Sequence, residues 1–105
     1  MRNVLYHGTT QSSGLSILQN GFDFSKCGSN WGSTYGKGIY FTPDYKVAKT
    51  YAGDVGIVLS FSIDLNCYQL QKDVSPSRKR RIKIPPGYNC LVSPNKEEYV
   101  VYYFL

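Results

Sequence analysis

The 105-residue sequence has no long apolar run and no recognisable targeting segment at its N-terminus. A helix that spans a bilayer needs roughly 20 apolar residues in a row, and no stretch approaches that length. The first residues are too quickly polar for a signal peptide. We therefore expect a soluble, intracellular protein, cytoplasmic or nuclear, with no membrane partner. One hydrophobic core suits this length, so residues 1–105 predict a single domain.

Cysteine is scarce and poorly spaced for metal binding. The three cysteines, Cys27, Cys67 and Cys90, are odd in number, and none belongs to a Cys-x-x-Cys pair of the kind that typically binds metal. We therefore expect reduced thiols, either buried or free, and no metal ion.

Acidic residues are few, with seven Asp and Glu against twelve Lys and Arg, which gives a formal net charge of +5. The excess positive charge is local, because without one short run the basic and acidic residues are equal in number. This run can hold the phosphates of a nucleic-acid partner, or it can be a solvated loop or a targeting signal. It consists of Arg78, Lys79, Arg80, Arg81 and Lys83.

The first third of the chain predicts a strand, a helix and a loop. A short strand over residues 2–6 should end at His7, and Thr9 or Thr10 can then cap a helix that stops at Asn20 and Gly21. Residues 22–34 are rich in Gly, Ser and Asn and predict a long loop.

The remainder predicts short strands and one further helix. Residues 38–41 read as a strand, and a helix to about Ala52 should follow, with Thr42 as its cap and Pro43 as its first residue. Alternation over residues 57–63 predicts a strand with one buried face. Two further strands are predicted over residues 67–70 and 98–105, with a loop at 72–87 between them. The last of these strands is apolar on both faces, so we expect it to be central in its sheet.

Strands outnumber helices without strict β-α alternation, so the pattern predicts a compact α+β fold. Three residues stand out because each lies at a predicted strand edge beside glycine or a loop: His7, Tyr40 and Glu98. Taken singly, each has an ordinary explanation, as a hydrogen-bonding histidine, a core tyrosine and a solvated glutamate.

Their order and their neighbours together point to a family. The segments Tyr-His-Gly-Thr, Tyr-Gly-Lys-Gly-Ile-Tyr-Phe and Glu-Tyr-Val-Val-Tyr contain the three residues in turn. This set resembles the His-Tyr-Glu signature of the poly(ADP-ribose) polymerase family of ADP-ribosyltransferases, and the resemblance covers essentially the whole chain. It implies a minimal ADP-ribosyltransferase-like fold of mixed, largely antiparallel small sheets with two short helices.

The resemblance also implies an activity and its partners. NAD is the co-substrate, ADP-ribose moves to a macromolecular acceptor, nicotinamide is released, and no metal takes part. The acceptor implied is a protein, and we expect a monomer. Glu98 favours polymer by the same resemblance, but residues 85–96 are too few for a large acceptor-binding loop, so we expect single or short ADP-ribose units.

The same resemblance assigns residues to the NAD site. His7 matches the histidine that binds the adenosine ribose, with Thr9 beside it, and the main chain of Gly8 matches the group that grips the nicotinamide carboxamide. Tyr40 and Tyr51 match the two aromatic rings that sandwich the nicotinamide.

Glu98 matches the carboxylate that engages the 2′-hydroxyl of the nicotinamide ribose, so His7, Tyr40 and Glu98 are the candidate catalytic residues. Cleavage of the nicotinamide–ribose bond passes through an oxocarbenium-like state that a nearby carboxylate stabilises. One position departs from the family, because Ala48 replaces a common serine that also bonds the carboxamide. This loss costs roughly 0.5–1.5 kcal/mol of affinity unless Thr42 or Thr50 compensates.

Two alternatives remain open. In one, the acceptor is a nucleic acid, as in RNA 2′-phosphotransferases or DNA-modifying relatives, and the basic run at residues 78–83 holds its phosphates. In the other, the domain is a non-catalytic module that binds NAD or ADP-ribose. The retention of Glu98 argues against the second, because a binding module does not need that carboxylate.

Overall fold

The computed structural model describes residues 2–24, 35–36, 38–72 and 82–104, with side chains from residue 4 onward. These residues form two helices and six strands, which confirms the predicted α+β class. In chain order the elements are β1 (Arg2–Thr9), α1 (Gln11–Asn20), β2 (Ile39–Phe41), α2 (Tyr45–Ala52), β3 (Ile57–Asp64), β4 (Cys67–Gln69), β5 (Cys90–Val92) and β6 (Tyr99–Val101).

The strands of the described residues form two small sheets, in which one strand pair is parallel and the others are antiparallel. β1 and β3 pair antiparallel along their whole length, from Arg2 opposite Asp64 to Thr9 opposite Ile57. The second sheet has the order β2-β6-β5-β4, in which β4 and β5 run parallel and the other pairs antiparallel. The prediction of mixed, largely antiparallel sheets is confirmed.

A β-bridge between Tyr6 and Thr42 joins the two sheets. The N–H of Tyr6 donates to the carbonyl oxygen of Thr42 at 2.8 Å, and the N–H of Thr42 donates to the carbonyl oxygen of Tyr6 at 2.9 Å. Because Thr42 directly follows β2, this bridge fixes the edge of the second sheet against the middle of β1.

Both faces of the second sheet are buried. On one face lies a core cluster formed by Leu5, Ile39, Phe41, Leu65, Cys90, Val92 and Val101. On the other face, Tyr35, Leu91 and Val100 form a second cluster, against which Tyr40, Ile82 and Ile84 pack. β6 lies between β2 and β5, so its apolar residues face protein on both sides, which confirms the prediction of a central strand.

The first helix follows its sequence signals. Thr10 is the N-cap of α1, and its hydroxyl accepts from the N–H of Ser13 at 3.2 Å. Gly21 ends the helix with φ of 79°, a left-handed conformation that glycine adopts without strain. The predicted capping threonine and stop signal are both confirmed.

Two predicted boundaries are wrong. β1 does not end at His7 but continues to Thr9, because its pairing with β3 runs on to Ile57. The N-cap of α2 is Asp44 rather than Thr42, because the carboxylate of Asp44 accepts from the N–H of Lys46 at 2.9 Å. Thr42 does not begin the helix, because its carbonyl oxygen accepts from the N–H of Tyr6, whereas that of Asp44 accepts the first intrahelical bond, from the N–H of Ala48.

β5 was not predicted, and the last strand is shorter than predicted. β5 is only Cys90–Val92, fully buried, and so short an apolar run does not stand out from its flanks. The last strand, β6, covers Tyr99–Val101 rather than residues 98–105. Glu98 instead closes a turn that starts at Ser93.

Much of the two predicted loops lies outside the described residues. This applies to residues 25–34, which include Cys27, and to residues 73–81, which include all of the basic run except the exposed Lys83. Cys67 and Cys90 are free thiols. Neither of the two helices in the described ranges is long and apolar enough to cross a membrane.

Candidate active site at the junction of the two sheets

His7 lies on β1 beside the bridge that joins the sheets, and its ring reaches across to β2. Its Nδ1 atom is 2.8 Å from the main-chain carbonyl oxygen of Tyr40. Because a carbonyl oxygen can only accept, Nδ1 carries the proton in this hydrogen bond. Burial lowers the pKa of His7 and favours the neutral ring, in which Nε2 has a lone pair and can accept a hydrogen bond.

Two phenylalanines set the plane of the His7 ring. The ring of Phe22 meets it edge-on with centroids 5.4 Å apart, and Phe41 lies 5.6 Å away. Phe22 also packs against Phe41 and Phe61. This supporting role of Phe22 was not predicted from the sequence, because Phe22 stands at the start of a segment typical of a loop and no periodicity identifies it.

The side chain of Tyr40 is fixed at its hydroxyl end. The hydroxyl accepts from the N–H of Tyr35 at 2.7 Å and donates to the carbonyl oxygen of Gly36 at 2.9 Å. Tyr102 adds a further contact, since its hydroxyl donates to the carbonyl oxygen of Tyr35 at 2.9 Å. Burial raises the pKa of Tyr40, and it raises the pKa of Tyr102 to about 12, so both phenols stay protonated at neutral pH.

The register between β2 and β6 brings Glu98 to the side of Tyr40. Tyr40 pairs with Val100, and paired residues in antiparallel strands share a face. Glu98 lies two residues before Val100, so the two-residue alternation directs it to the same face. The pKa of Tyr40 agrees with this position, because the negative charge of Glu98 adds to the larger effect of burial in raising it.

Tyr51 lies on the outer side of α2, near the same carboxylate. Burial raises the pKa of Tyr51 first, and the negative charges of Glu98 and Glu97 raise it further. Its side chain is 65% exposed, so it is not core filling. The residues of α2 therefore differ in exposure: Ala48 is buried, whereas Tyr45 and Tyr51 stand at the surface.

Gly8 lies where β1 and α2 approach most closely. A Cβ atom at this position would overlap the main-chain carbonyl oxygen of Ala48. The main-chain N–H and C=O of Tyr6 face Thr42, and in a regular strand these groups point the same way at every second residue. Those of Gly8 therefore point away from β3, to the side on which His7 contacts Tyr40. Thr9, the last residue of β1, is half-buried next to it.

Ala48, at the position of the expected serine, has no side-chain polar atom to replace the lost contact. Of the two threonines considered as substitutes, Thr50 donates its hydroxyl proton to the carbonyl oxygen of Lys46 at 3.0 Å. It therefore has no proton for a carboxamide oxygen in this conformation. Thr42 is buried, and its hydroxyl accepts from the N–H of Asp44 at 3.1 Å.

In the part of the chain that the structure describes, the site residues predicted from the sequence lie at one junction between the two sheets. His7 and Gly8 lie on β1, Tyr40 on β2, Tyr51 on α2 and Glu98 before β6. Among these described ranges, no group of three or more His, Cys, Asp or Glu side chains could hold a metal ion. The junction thus provides a histidine acceptor, an exposed aromatic ring, a main-chain donor and acceptor pair and a carboxylate, the groups that the family resemblance predicts for an NAD site.

Comparison with known proteins identifies the class. Residues 1–99 match the family model of the poly(ADP-ribose) polymerase catalytic domain, so the chain belongs to that family. The chain is also similar to the protein mono-ADP-ribosyltransferase PARP10 of Mus musculus, with 51% identity over 41 residues. The aligned segment covers 39% of this chain and 4% of that relative, so the chain corresponds to a small part of its length.

Proposed function

We propose that this domain transfers ADP-ribose from NAD to a protein acceptor and releases nicotinamide. The observation that carries the proposal is the convergence of His7, Tyr40 and Glu98, which lie far apart in the sequence, at one junction between two sheets. Family membership over residues 1–99 supports the same conclusion.

Each group at the junction suits one part of NAD. The Nε2 lone pair of neutral His7 can accept from a hydroxyl of the adenosine ribose. The N–H and C=O of Gly8 form a donor and acceptor pair that complements a carboxamide. The rings of Tyr40 and Tyr51 offer faces to the nicotinamide, whose positive charge is attracted by an aromatic face with about 0.5–2 kcal/mol.

The reaction that fits this site is displacement at C1′ of the nicotinamide ribose. The bond from C1′ to the ring nitrogen breaks, and its electron pair leaves with the nicotinamide, which becomes neutral. Positive charge develops on the ribose, where the carboxylate of Glu98 stabilises it. A nucleophilic group of the acceptor then forms the new bond to C1′.

The product we propose is a single ADP-ribose or a very short chain. Glu98 favours polymer, because the family members that extend chains use this carboxylate on the growing end. The space for a growing end is small, however, since only residues 93–98 connect β5 to β6. A second ADP-ribose needs several oriented contacts, without which its effective concentration is low. The similar protein from mouse is itself named a mono-ADP-ribosyltransferase.

We also propose that the domain acts as a monomer in the cytoplasm or nucleus. Support for this location comes from Cys67 and Cys90, which lie opposite each other in β4 and β5 and are free thiols. Thiols this close together persist in compartments that glutathione and thioredoxin keep reduced.

The test is incubation of the protein with isotopically labelled NAD and cell extract, with Glu98→Gln as the matched control. Separate aliquots are then treated with protease and with nuclease. Release of label by protease supports the proposal. Release by nuclease would identify a nucleic-acid acceptor and give a role to the basic run at residues 78–83.

A third outcome would favour the binding module. If the wild type incorporates no more label than Glu98→Gln, and releases no nicotinamide, while both bind NAD, the domain is not a transferase.

A further inference from the structure

The connection between β5 and β6, residues 93–98, is a turn whose first and last residues are bonded to each other twice. The N–H of Ser93 donates to the carbonyl oxygen of Glu98 at 2.9 Å. In return, the N–H of Glu98 donates to the hydroxyl oxygen of Ser93 at 3.0 Å. The second of these bonds depends on the Ser93 side chain, so a side chain helps to fix the main chain of Glu98.

The hydroxyl group of Ser93 also donates its proton to a hydrogen bond. Its Oγ atom lies 2.6 Å from Oδ1 of Asn95, and the same Oδ1 accepts from the N–H of Glu97 at 3.0 Å. Because a main-chain N–H can only donate, Oδ1 is the acceptor in both contacts, and Ser93 therefore donates to Asn95. The hydroxyl thus accepts from one end of the turn and donates to its middle.

The interior of the turn completes this arrangement. The N–H of Lys96 donates to the carbonyl oxygen of Ser93 at 2.9 Å, and Lys96 has φ of 64°, in the left-handed region. A non-glycine residue in that conformation needs surrounding contacts to hold it. The hydrogen bonds of Ser93 provide such contacts from the buried side.

The position of Glu98 depends on this turn because it lies outside the strand. β6 begins at Tyr99, so the strand pairing ends one residue short of Glu98. Ser93 itself is only 3% exposed and cannot reach a substrate. Any effect of Ser93 on the reaction is therefore indirect, and Glu98 is the candidate site residue to which it is hydrogen-bonded.

We infer that Ser93 is the positioning residue for Glu98 and that its hydroxyl holds the turn in the shape that aims the carboxylate at the nicotinamide ribose. This inference rests on the role proposed above for Glu98. Misplacement of a catalytic group by about 1 Å can cost on the order of 10²-fold in rate. Loss of the Ser93 hydroxyl removes two hydrogen bonds at once: the one from the N–H of Glu98 and the one to Asn95 in the middle of the turn.

The experiment measures nicotinamide release from labelled NAD by Ser93→Ala, with Ser60→Ala, an exposed serine on β3, as the control. We expect Ser93→Ala to lower kcat about 10- to 100-fold while KM for NAD stays within about twofold. Ser60→Ala should match the wild type. Ser93→Thr, which keeps the hydroxyl, should recover part of the lost kcat.

A double-mutant cycle with Glu98→Gln separates positioning from a general loss of structure. In Glu98→Gln there is no carboxylate for Ser93 to position. Adding Ser93→Ala to that variant should therefore lower its residual rate little or not at all. An equal fractional loss in both backgrounds would overturn the inference. A second variant, Asn95→Ala, removes the acceptor of the Ser93 proton from an exposed position and should lower kcat several-fold even if Ser93→Ala does not fold.

The outcomes also separate this inference from the proposed function. If Glu98→Gln loses turnover while Ser93→Ala and Asn95→Ala keep it, the inference fails and the proposed function stands. If Glu98→Gln keeps the turnover of the wild type, the role of Glu98 fails and the inference fails with it.

Discussion

The Nδ1 atom of His7 lies 2.8 Å from the main-chain carbonyl oxygen of Tyr40. This one hydrogen bond joins β1 of the first sheet to β2 of the second, next to the bridge between Tyr6 and Thr42. It also fixes which nitrogen of His7 carries the proton. The two residues that the family resemblance assigns to different parts of NAD are thus held in a defined relation to each other.

The first prediction concerns the pH dependence of stability through His7. Burial lowers the pKa of His7 in the folded protein below its ordinary value of 6.5, so the unfolded chain binds more protons between the two values. The stabilisation is therefore fully present above pH 6.5 and is lost as the pH falls towards the folded pKa. The free energy of unfolding should drop between pH 7 and pH 5.5, and His7→Gln should show a smaller drop.

The chain contains a single histidine, so its titration can be followed directly by NMR. A midpoint at or above 6.5 in the folded protein would contradict this prediction.

The second prediction concerns Tyr51 as an aromatic face for nicotinamide. Tyr51→Ala should weaken NAD binding by about 0.5–2 kcal/mol, because one ring face is lost from a cationic ligand. Tyr45→Ala is the matched control, since Tyr45 is also exposed on α2 but packs edge-on against Tyr6. Calorimetry decides the point: equal affinity in wild type and Tyr51→Ala would remove Tyr51 from the site.

The third prediction separates binding from turnover at Glu98. Glu98→Gln should lower kcat by about 10²- to 10³-fold, because its charge acts mainly on positive charge that exists only at the transition state. NAD affinity should stay close to that of the wild type. The neighbouring Glu97→Gln, at an exposed carboxylate, should leave kcat nearly unchanged. Parallel losses of affinity and kcat in Glu98→Gln would instead indicate a binding or structural role.

The fourth prediction concerns the close approach of β1 to α2. In Gly8→Ala the new Cβ collides with the carbonyl oxygen of Ala48, so α2 must shift together with Tyr51. We expect a loss of about 1–3 kcal/mol in the free energy of unfolding, as for other overpacked sites, together with weaker NAD binding.

Gly53→Ala is the control for Gly8→Ala. Gly53 has φ of 70° and open space around an added Cβ, so alanine there strains the backbone without moving α2. It should lower stability but not NAD affinity. If Gly8→Ala binds NAD as tightly as Gly53→Ala does, the contact between Gly8 and Ala48 has no part in shaping the site.

The fifth prediction concerns product length. Because residues 93–98 leave little room to hold a growing end, intact-mass analysis of a modified acceptor should show one or very few ADP-ribose units per site. Free ADP-ribose from hydrolysis of NAD should accompany them. A ladder of products carrying many ADP-ribose units would show that the effect of Glu98 on chain extension outweighs the small size of the turn.

Several elements were predictable because their signals are local. α1 is capped by Thr10 and ends at Gly21, as the side-chain preference of threonine and the backbone preference of glycine dictate. The predicted two-residue alternation of β3 appears in its partly buried Phe61 and Ile63. β5 was not predictable, because its three residues become a strand only when β4 and β6 lie on either side of them. The cap of α2 was misassigned because Thr42 is bonded to Tyr6, a residue far away in the sequence.

The sequence by itself determined the α+β class, the family and the identity of the candidate site residues, since these depend on residue types and their order along the chain. Only the tertiary structure decided how those residues meet. The register between β2 and β6 sets Glu98 beside Tyr40, and the bridge between the sheets sets His7 beside Tyr40. Register and bridging arise from hydrogen bonds between segments distant in the chain, and no local preference of either segment specifies them.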